Sequence, residues 1–192
     1  MLQSLIEFYD DSRYSETPPM NEAEFRAYHL LAHVRDPDVA RQLEKQSSRI
    51  LDASIVNAAL ELRALAQRNN INSRRATNTE ATQNLFSRLF SVVAQPRVPF
   101  LMACLMEFHF EDIRKGALKA MRSSFREAHK AFPMSTLTEM LGFDDEAATA
   151  SFVSACKLEL VVDPISRTPT AVKLHSRAPF DGRVSISLMD RI

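Results

Sequence analysis

The sequence contains very little glycine and cysteine. Its 192 residues include three glycines, whereas phosphate-cradling loops and dinucleotide-binding turns need several closely spaced ones. Nucleotide sites of the Walker and Rossmann types are therefore excluded. The two cysteines, Cys104 and Cys156, stand singly in apolar stretches. This pattern is typical of reduced thiols in the cytosol or nucleus rather than of a disulfide framework or a zinc cluster.

Long hydrophobic runs and a net charge are also missing. The longest apolar stretch, residues 98–106, is far shorter than the ~20 residues of a membrane span, and the start MLQSLIEFYDD is not a basic leader. We therefore expect neither secretion nor membrane insertion. The 24 basic residues balance the 24 acidic ones. Charge is nevertheless patterned late in the chain, because residues 111–130 are net basic and residues 131–165 are net acidic.

What is present favours helices. Nine prolines leave two long proline-free intervals, and apolar residues recur at helical spacing within them. Asn21 and Asp52 are expected to cap helices, and Asp36-Pro37 is expected to open one. The segment 98–109 is apolar almost all round, which predicts the buried centre of a helical array. The helices expected in this part of the chain cover residues 21–34, 38–46, 52–66, 80–95 and 98–109.

The last third of the sequence changes character. A helix over residues 111–130, a short one over 135–141 that Gly142 ends, and a third that Asp144 caps are followed by two expected strands, 158–162 and 171–174. Three helices followed by a β-hairpin is the order of a winged helix. The sequence therefore predicts a mostly α protein, an irregular helical stack over residues 1–110 that ends in a winged helix over 111–180 and a tail over 181–192.

Candidate catalytic and metal residues all have simpler interpretations. His29 and His33 have the spacing of a zinc-protease pair but lack its glutamate, so we expect them to pack against neighbouring helices. Cys104 and His109 lie ~140° apart on a helix and cannot pair within it. The acidic run 144–146 is explained by helix capping, and Glu111 and Lys115 by an i, i+4 pair. We therefore expect no enzyme, metal or cofactor site.

Basic residues at helical spacing form a candidate nucleic-acid surface. They fall within ~80° of one another, so they make one positive stripe beside an apolar one. The alternative is an ordinary solvated helix face. The third helix of the expected winged helix begins with acidic residues, which argues against sequence-specific reading of the major groove. The stripe comprises Lys115, Lys119, Arg122, Arg126 and Lys130, and backbone contacts are also expected from Arg167, Lys173 and Arg177.

A candidate protein interface lies on the first expected strand, which is apolar on both faces. We expect a heterodimer contact there, because winged-helix lobes commonly dock through their apolar edges. The residues concerned are Leu158, Leu160, Val161 and Val162.

Particular strings carry a family resemblance. They are NEAEFRAYHLL at residues 21–31, PFLMACLMEFHFEDIRKGALKA at residues 99–120, and the late segments 142–146 and 171–180. Together and in this order they resemble the SAC3/GANP family of nuclear messenger-RNA export scaffolds, over nearly the whole chain. The resemblance implies a PCI-like fold, in which a helical stack ends in a winged helix. The family normally has further helices before the segment that matches MLQSLIEFYDD, so the chain resembles a truncated core.

The resemblance also implies partners and a location. A second PCI-domain subunit and the small acidic Sem/Dss protein would complete the core of the TREX-two complex, and paired winged helices would form a positive platform for RNA of any sequence. The implied location is the nucleus, at the envelope or pore, with pore association through regions absent from this chain. Related PCI proteins of the proteasome lid, the signalosome and translation initiation share the architecture. An assembly scaffold without nucleic-acid binding is therefore the alternative.

Overall fold

The computed structural model describes residues 2–12, 19–67, 85–125 and 131–174. These ranges are mostly helical, with a small antiparallel sheet near the C-terminal end, as the sequence predicts. The helices are α1 (Leu2–Asp11), α2 (Glu22–Ala32), α3 (Pro37–Glu44), α4 (Ser48–Leu51), α5 (Ser54–Gln67), α6 (Phe86–Val93), α7 (Phe100–Ser124), α8 (Met134–Leu141) and α9 (Glu146–Ala155). The strands are β1 (Phe132–Pro133), β2 (Glu159–Val162) and β3 (Pro169–Lys173).

The chain divides into two compact units. The N-terminal unit comprises residues 1–68 and 91–110, and the C-terminal unit comprises residues 69–90 and 111–192. Helices α6 and α7 each contribute residues to both units. Within the described ranges, the helices lack the combination of length and hydropathy that crossing a membrane requires.

In the N-terminal unit, α2 is the central helix. It packs against α1, α3, α4 and α5, and its Ala27, Leu30 and Leu31 are fully buried. The helix begins beside Asn21 as expected, but the Asn21 side chain makes no capping hydrogen bond, and the helix ends at Ala32 rather than near residue 34.

Of the two helix caps predicted next along the chain, the one at Asp36 is confirmed and the one at Asp52 is wrong. Asp36 caps α3 as predicted, because its carboxylate accepts a hydrogen bond from the Asp38 backbone N–H at 2.8 Å. Asp52 closes α4 instead of opening the next helix. Its backbone N–H donates to the Ser48 carbonyl at 2.8 Å, and α5 begins two residues later at Ser54.

Helix α7 differs from the sequence prediction in two ways. The expected helices over 98–109 and 111–130 correspond to one continuous helix, Phe100–Ser124, since neither proline nor glycine stands between the two segments. Residues 126–130 of the second expected helix lie outside the described residues. The segment is also not buried all round. Met102 and Met106 are fully buried, whereas Phe100, Leu101 and Phe108 are exposed on another face.

In the C-terminal unit the described order from α7 onward is α7, β1, α8, α9, β2 and β3. The two expected strands follow three helices, and the short strand β1, which the sequence does not predict, stands between the first two of these helices. Gly142 ends α8 in the left-handed conformation, with φ of 62°, as expected. Asp145, and not Asp144, caps α9, because the Asp145 carboxylate accepts from the Ala148 N–H at 2.6 Å. The two expected strands pair antiparallel as β2 and β3, and β1 joins the other edge of β3, giving the order β1-β3-β2.

Candidate functional site

Lys115, the first residue of the predicted RNA-binding stripe, is not on the surface. Its side chain is 4% exposed, and its Nζ donates to Glu111 Oε1 at 2.5 Å. This is the i, i+4 pair that the sequence also predicts. The burial removes Lys115 from any surface that could contact a phosphate backbone.

Lys119 and Arg122 lie one and two turns further along α7. The Lys119 side chain is exposed, and Arg122 is half-buried. Lys119 therefore offers a cation to solvent, while part of the Arg122 side chain packs against the protein. The remaining members of the candidate nucleic-acid surface lie outside the described residues: Arg126, Lys130 and Arg177.

The other two predicted RNA-binding residues lie in the β2–β3 hairpin, Arg167 in the turn and Lys173 at the end of β3. Arg167 is exposed, with φ of 55°, and its backbone N–H donates to the Asp163 carbonyl at 2.9 Å. Lys173 pairs with Glu159 across the strands, with 2.6 Å between Nζ and Oε1. Both partners are about half exposed, so this pair stays accessible to salt and to competing anions.

The predicted protein interface is only partly on the surface. Leu158 is buried in the core of the C-terminal unit, and Leu160 packs against that core. Val161 is half-buried, and Val162 is 48% exposed. Within the described residues β2 is an edge strand, hydrogen-bonded to β3 on one side. An edge strand presents unpaired backbone groups, so this part of the surface can pair with another chain.

Arg114 is a key polar residue that the sequence analysis missed. The side chain is buried, its guanidinium lies 3.7 Å from the ring centre of Phe143, and it also faces Phe90 at 5.4 Å. Its Nε donates to the Leu141 carbonyl at 2.9 Å, and its Nη2 donates to the Gly142 carbonyl at 2.5 Å. Arg114 thus satisfies carbonyls at the end of α8. In the sequence, the one signal for this role is Gly142, which marks the end of the helix whose carbonyls need a donor.

The polar groups of α2 are arranged for packing. The rings of His29 and His33 lie 4.7 Å apart, and within the described ranges no three His, Cys, Asp or Glu side chains are grouped to hold a metal ion. Burial, followed by the charges of His33 and Arg26, lowers the pKa of His29. Burial and the hydrogen bond to Glu24 raise the pKa of Tyr28 to about 12. Both side chains are thus neutral at pH 7.

His109 and Cys104 do not form a nucleophile and base pair. The Nε2 atom of His109 lies 2.9 Å from the Leu31 carbonyl, so this nitrogen donates a hydrogen bond to the backbone. The neighbouring cysteine is partly exposed on α7. The sequence predicts that the side chains of Cys104 and His109 point apart on the helix. The hydrogen bond from His109 to Leu31 agrees with that prediction.

A shallow cavity of about 340 Å³ lies in the N-terminal unit beside Glu22, Gln46 and Arg49. The Glu22 carboxylate accepts a hydrogen bond from Arg26 at 2.8 Å, and Arg26 also pairs with Asp10 at 2.7 Å. The acidic group at the cavity is therefore neutralised by a buried arginine that ties α1 to α2.

Comparisons with known proteins converge on one family. The model of the SAC3/GANP family matches residues 1–162. The chain is 48% identical over 165 residues to SAC3 family protein 1 of Schizosaccharomyces pombe, covering 85% of this chain and 16% of that protein. It is 25% identical over 163 residues to Protein xmas of Drosophila melanogaster, covering 83% and 7%, and 27% identical over 142 residues to SAC3 family protein B of Arabidopsis thaliana, covering 74% and 8%. The chain thus spans less than a fifth of the length of these relatives.

Proposed function

The chain belongs to the SAC3/GANP family, and on that premise we propose that it is the noncatalytic core of a nuclear mRNA export scaffold. The match over residues 1–162 carries this proposal, because it includes both α7 and the β2 strand. The proposed location is the nucleus, at the envelope or pore.

The proposed protein partner is a PCI-domain subunit, joined by the small acidic Sem/Dss protein. The edge of β2 that has no paired strand among the described residues, together with the exposed Val162, supports a contact with that subunit. Backbone hydrogen bonds to an edge strand supply affinity, and the apolar side chain supplies part of the buried area. Leu158 lies in the core and Leu160 packs against it, so these two side chains hold the strand in position.

The proposed RNA surface starts at Lys119 and Arg122 and continues along the basic sequence to residue 130. Because Lys115 is buried against Glu111, it is not included. Contacts of this kind are made to phosphates, so base composition should matter little. If about three cations touch a single strand, the affinity falls with salt with a log–log slope of ~2, roughly twentyfold between 50 and 200 mM.

One observation favours the alternative of an assembly scaffold that binds no RNA. Asp144, Asp145 and Glu146 are all exposed where α9 begins, so this part of the C-terminal unit repels a polyanion. The exposed acidic cluster disfavours RNA binding, whereas the cation of Lys119 favours it. An experiment can therefore distinguish a scaffold that binds RNA from one that does not.

The test measures pairing and RNA affinity with the same proteins. The chain is co-purified with the PCI-domain subunit of its own organism, and binding of a labelled single-stranded RNA is followed by fluorescence anisotropy from 50 to 200 mM salt. We expect Lys119→Glu combined with Arg122→Glu to lower RNA affinity at least tenfold and to reduce the salt slope, because two phosphate contacts are lost. Pairing should be unchanged.

Arg41→Glu combined with Lys45→Glu is the matched control. It makes the same charge change at two exposed positions, one in α3 and one at its C-cap, in the other unit, and should leave RNA affinity within twofold. RNA binding by none of the three proteins would establish the scaffold without RNA binding, and equal measurable affinity of all three would contradict the proposed RNA surface. A chain that does not pair with the PCI-domain subunit would contradict the proposed complex itself.

A further inference from the structure

The N-terminal half of α7 exposes an apolar strip that the proposed function does not use. Phe100, Leu101 and Phe108 are 80%, 57% and 69% exposed, and the partly exposed Cys104 lies between them. At 100° per residue these four side chains fall within about 100° of arc, so they form one continuous surface, here called the α7 strip. All four belong to the N-terminal unit.

The exposed apolar residues of the α7 strip are contiguous, not scattered singly over the surface. Single exposed apolar side chains are common on soluble proteins, whereas contiguous apolar patches mark interaction surfaces. From Phe100 to Phe108 the strip is about 12 Å long, at 1.5 Å per residue, or two turns of helix. Met102 and Met106 anchor the opposite face of the same helix in the core, so the strip is held in place.

The charge around the α7 strip indicates the chemistry of its partner. Residues 98–110, which carry the strip, contain one acidic residue, Glu107, and neither lysine nor arginine. The preceding Arg97 is paired with Glu61. Glu107 is exposed, and on the helical wheel it lies about 20° from Phe100. An apolar strip with an acidic border attracts a basic partner and disfavours RNA or an acidic protein.

We propose that the α7 strip docks an amphipathic helix of another protein, with an apolar face bordered by lysine and arginine. Two turns of exposed helix match the contact length of one docked helix, and apolar side chains at i and i+4 are the usual anchors of such pairs. Glu107 would pair with a basic residue of the docked helix at the rim of this contact.

A second copy of the chain fits the α7 strip poorly. It would bring the same acidic border to the contact, and like charges disfavour that arrangement.

The test uses the whole chain and two synthetic peptides. One is an 18-residue amphipathic helix with leucine on one face and lysine and arginine along its borders, and the other has glutamate at every basic position. Fluorescence anisotropy should show the basic peptide binding at least tenfold more tightly than the acidic one. Phe100→Ser combined with Phe108→Ser should weaken binding of the basic peptide at least tenfold.

Met20→Ser is the matched control, because Met20 is 97% exposed in the same unit but lies outside the strip. It should leave peptide binding unchanged. Circular dichroism of each variant verifies that helix content is retained. The measurement needs neither RNA nor the PCI-domain subunit, so its result is independent of the proposed function.

Three results would overturn the proposal. The two peptides could bind equally, or the double phenylalanine variant could bind the basic peptide as the unaltered chain does. The third is a disulfide-linked dimer formed on copper–phenanthroline oxidation and abolished by Cys104→Ser, which would place a second copy on the strip. Cys156 is buried and does not compete in that reaction.

Discussion

At the scale of single residues, the buried polar side chains of this protein hold helix ends and neighbouring helices together. Arg26 joins Asp10 and Glu22 in the N-terminal unit. Arg63 donates to the carbonyls of Val34 and Asp36 at 3.1 and 3.2 Å, just beyond the end of α2. The buried Arg26 and the partly buried Arg63 thus donate to oxygens on neighbouring elements, and where such an oxygen is buried, the loss of its donor costs about 1–3 kcal/mol.

Arg114 gives the sharpest test of this role. Arg114→Met should lower the free energy of unfolding by about 2–4 kcal/mol, because the Leu141 and Gly142 carbonyls lose their donors and Phe143 loses its stacked cation. Arg114→Lys should recover little of the loss, since an ammonium lacks the planar fork that bonds and stacks at once. Urea denaturation followed by circular dichroism measures both.

Arg41→Met serves as the control for Arg114. The Arg41 side chain is mostly exposed and pairs with an equally exposed Asp38, so its loss should change stability by less than about 0.5 kcal/mol. If Arg114→Met cost no more than Arg41→Met, the guanidinium would have no structural role at the end of α8.

At the scale of elements, two adjacent aspartates at the start of α9 have different roles. Asp145→Ala should destabilise the protein by about 1 kcal/mol, because the carboxylate that accepts from the Ala148 N–H is removed. Asp144→Ala removes the same charge one residue earlier and should cost less than about 0.5 kcal/mol. The difference between their urea midpoints distinguishes the two aspartates, and equal midpoints would mean that charge at the helix start, and not the cap, stabilises α9.

Local signals in the sequence predict most helices and the hairpin, but not features that depend on distant residues. Pro37 after Asp36 and Gly142 after Leu141 mark helix ends through their own backbone preferences. β1 was missed because two residues carry no periodicity, and it exists only through pairing of Phe132 and Pro133 with β3. The expectation that residues 98–109 are buried on all sides was wrong, because composition does not specify which sides of a helix have neighbours.

At the candidate site, too, the sequence predicts local features but not those that depend on distant residues. A helical wheel correctly places Glu111 one turn from Lys115, and their ion pair follows from that spacing. The wheel does not say that Lys115 faces the protein interior while Lys119 faces solvent. That difference arises from tertiary packing, so the sequence could nominate the cations but could not separate the buried one from the exposed one.

At the scale of the whole molecule, the two compact units can be observed separately. The sequence has no tryptophan, and its three tyrosines all lie within the first 28 residues, in the N-terminal unit. Tyrosine fluorescence therefore reports on the N-terminal unit alone, whereas circular dichroism reports on helices of both.

Two buried leucines form a matched pair for testing whether the units unfold independently. Leu62 in α5 and Leu137 in α8 are both fully buried, one in each unit. Either change to alanine should cost about 2–5 kcal/mol. Leu137→Ala should lower the urea midpoint of part of the dichroism signal by about 1–2 M, at a slope of ~2 kcal/mol/M, and leave the tyrosine midpoint in place. Leu62→Ala should lower the tyrosine midpoint instead. If either substitution shifted both signals equally, the whole molecule would unfold as one cooperative unit.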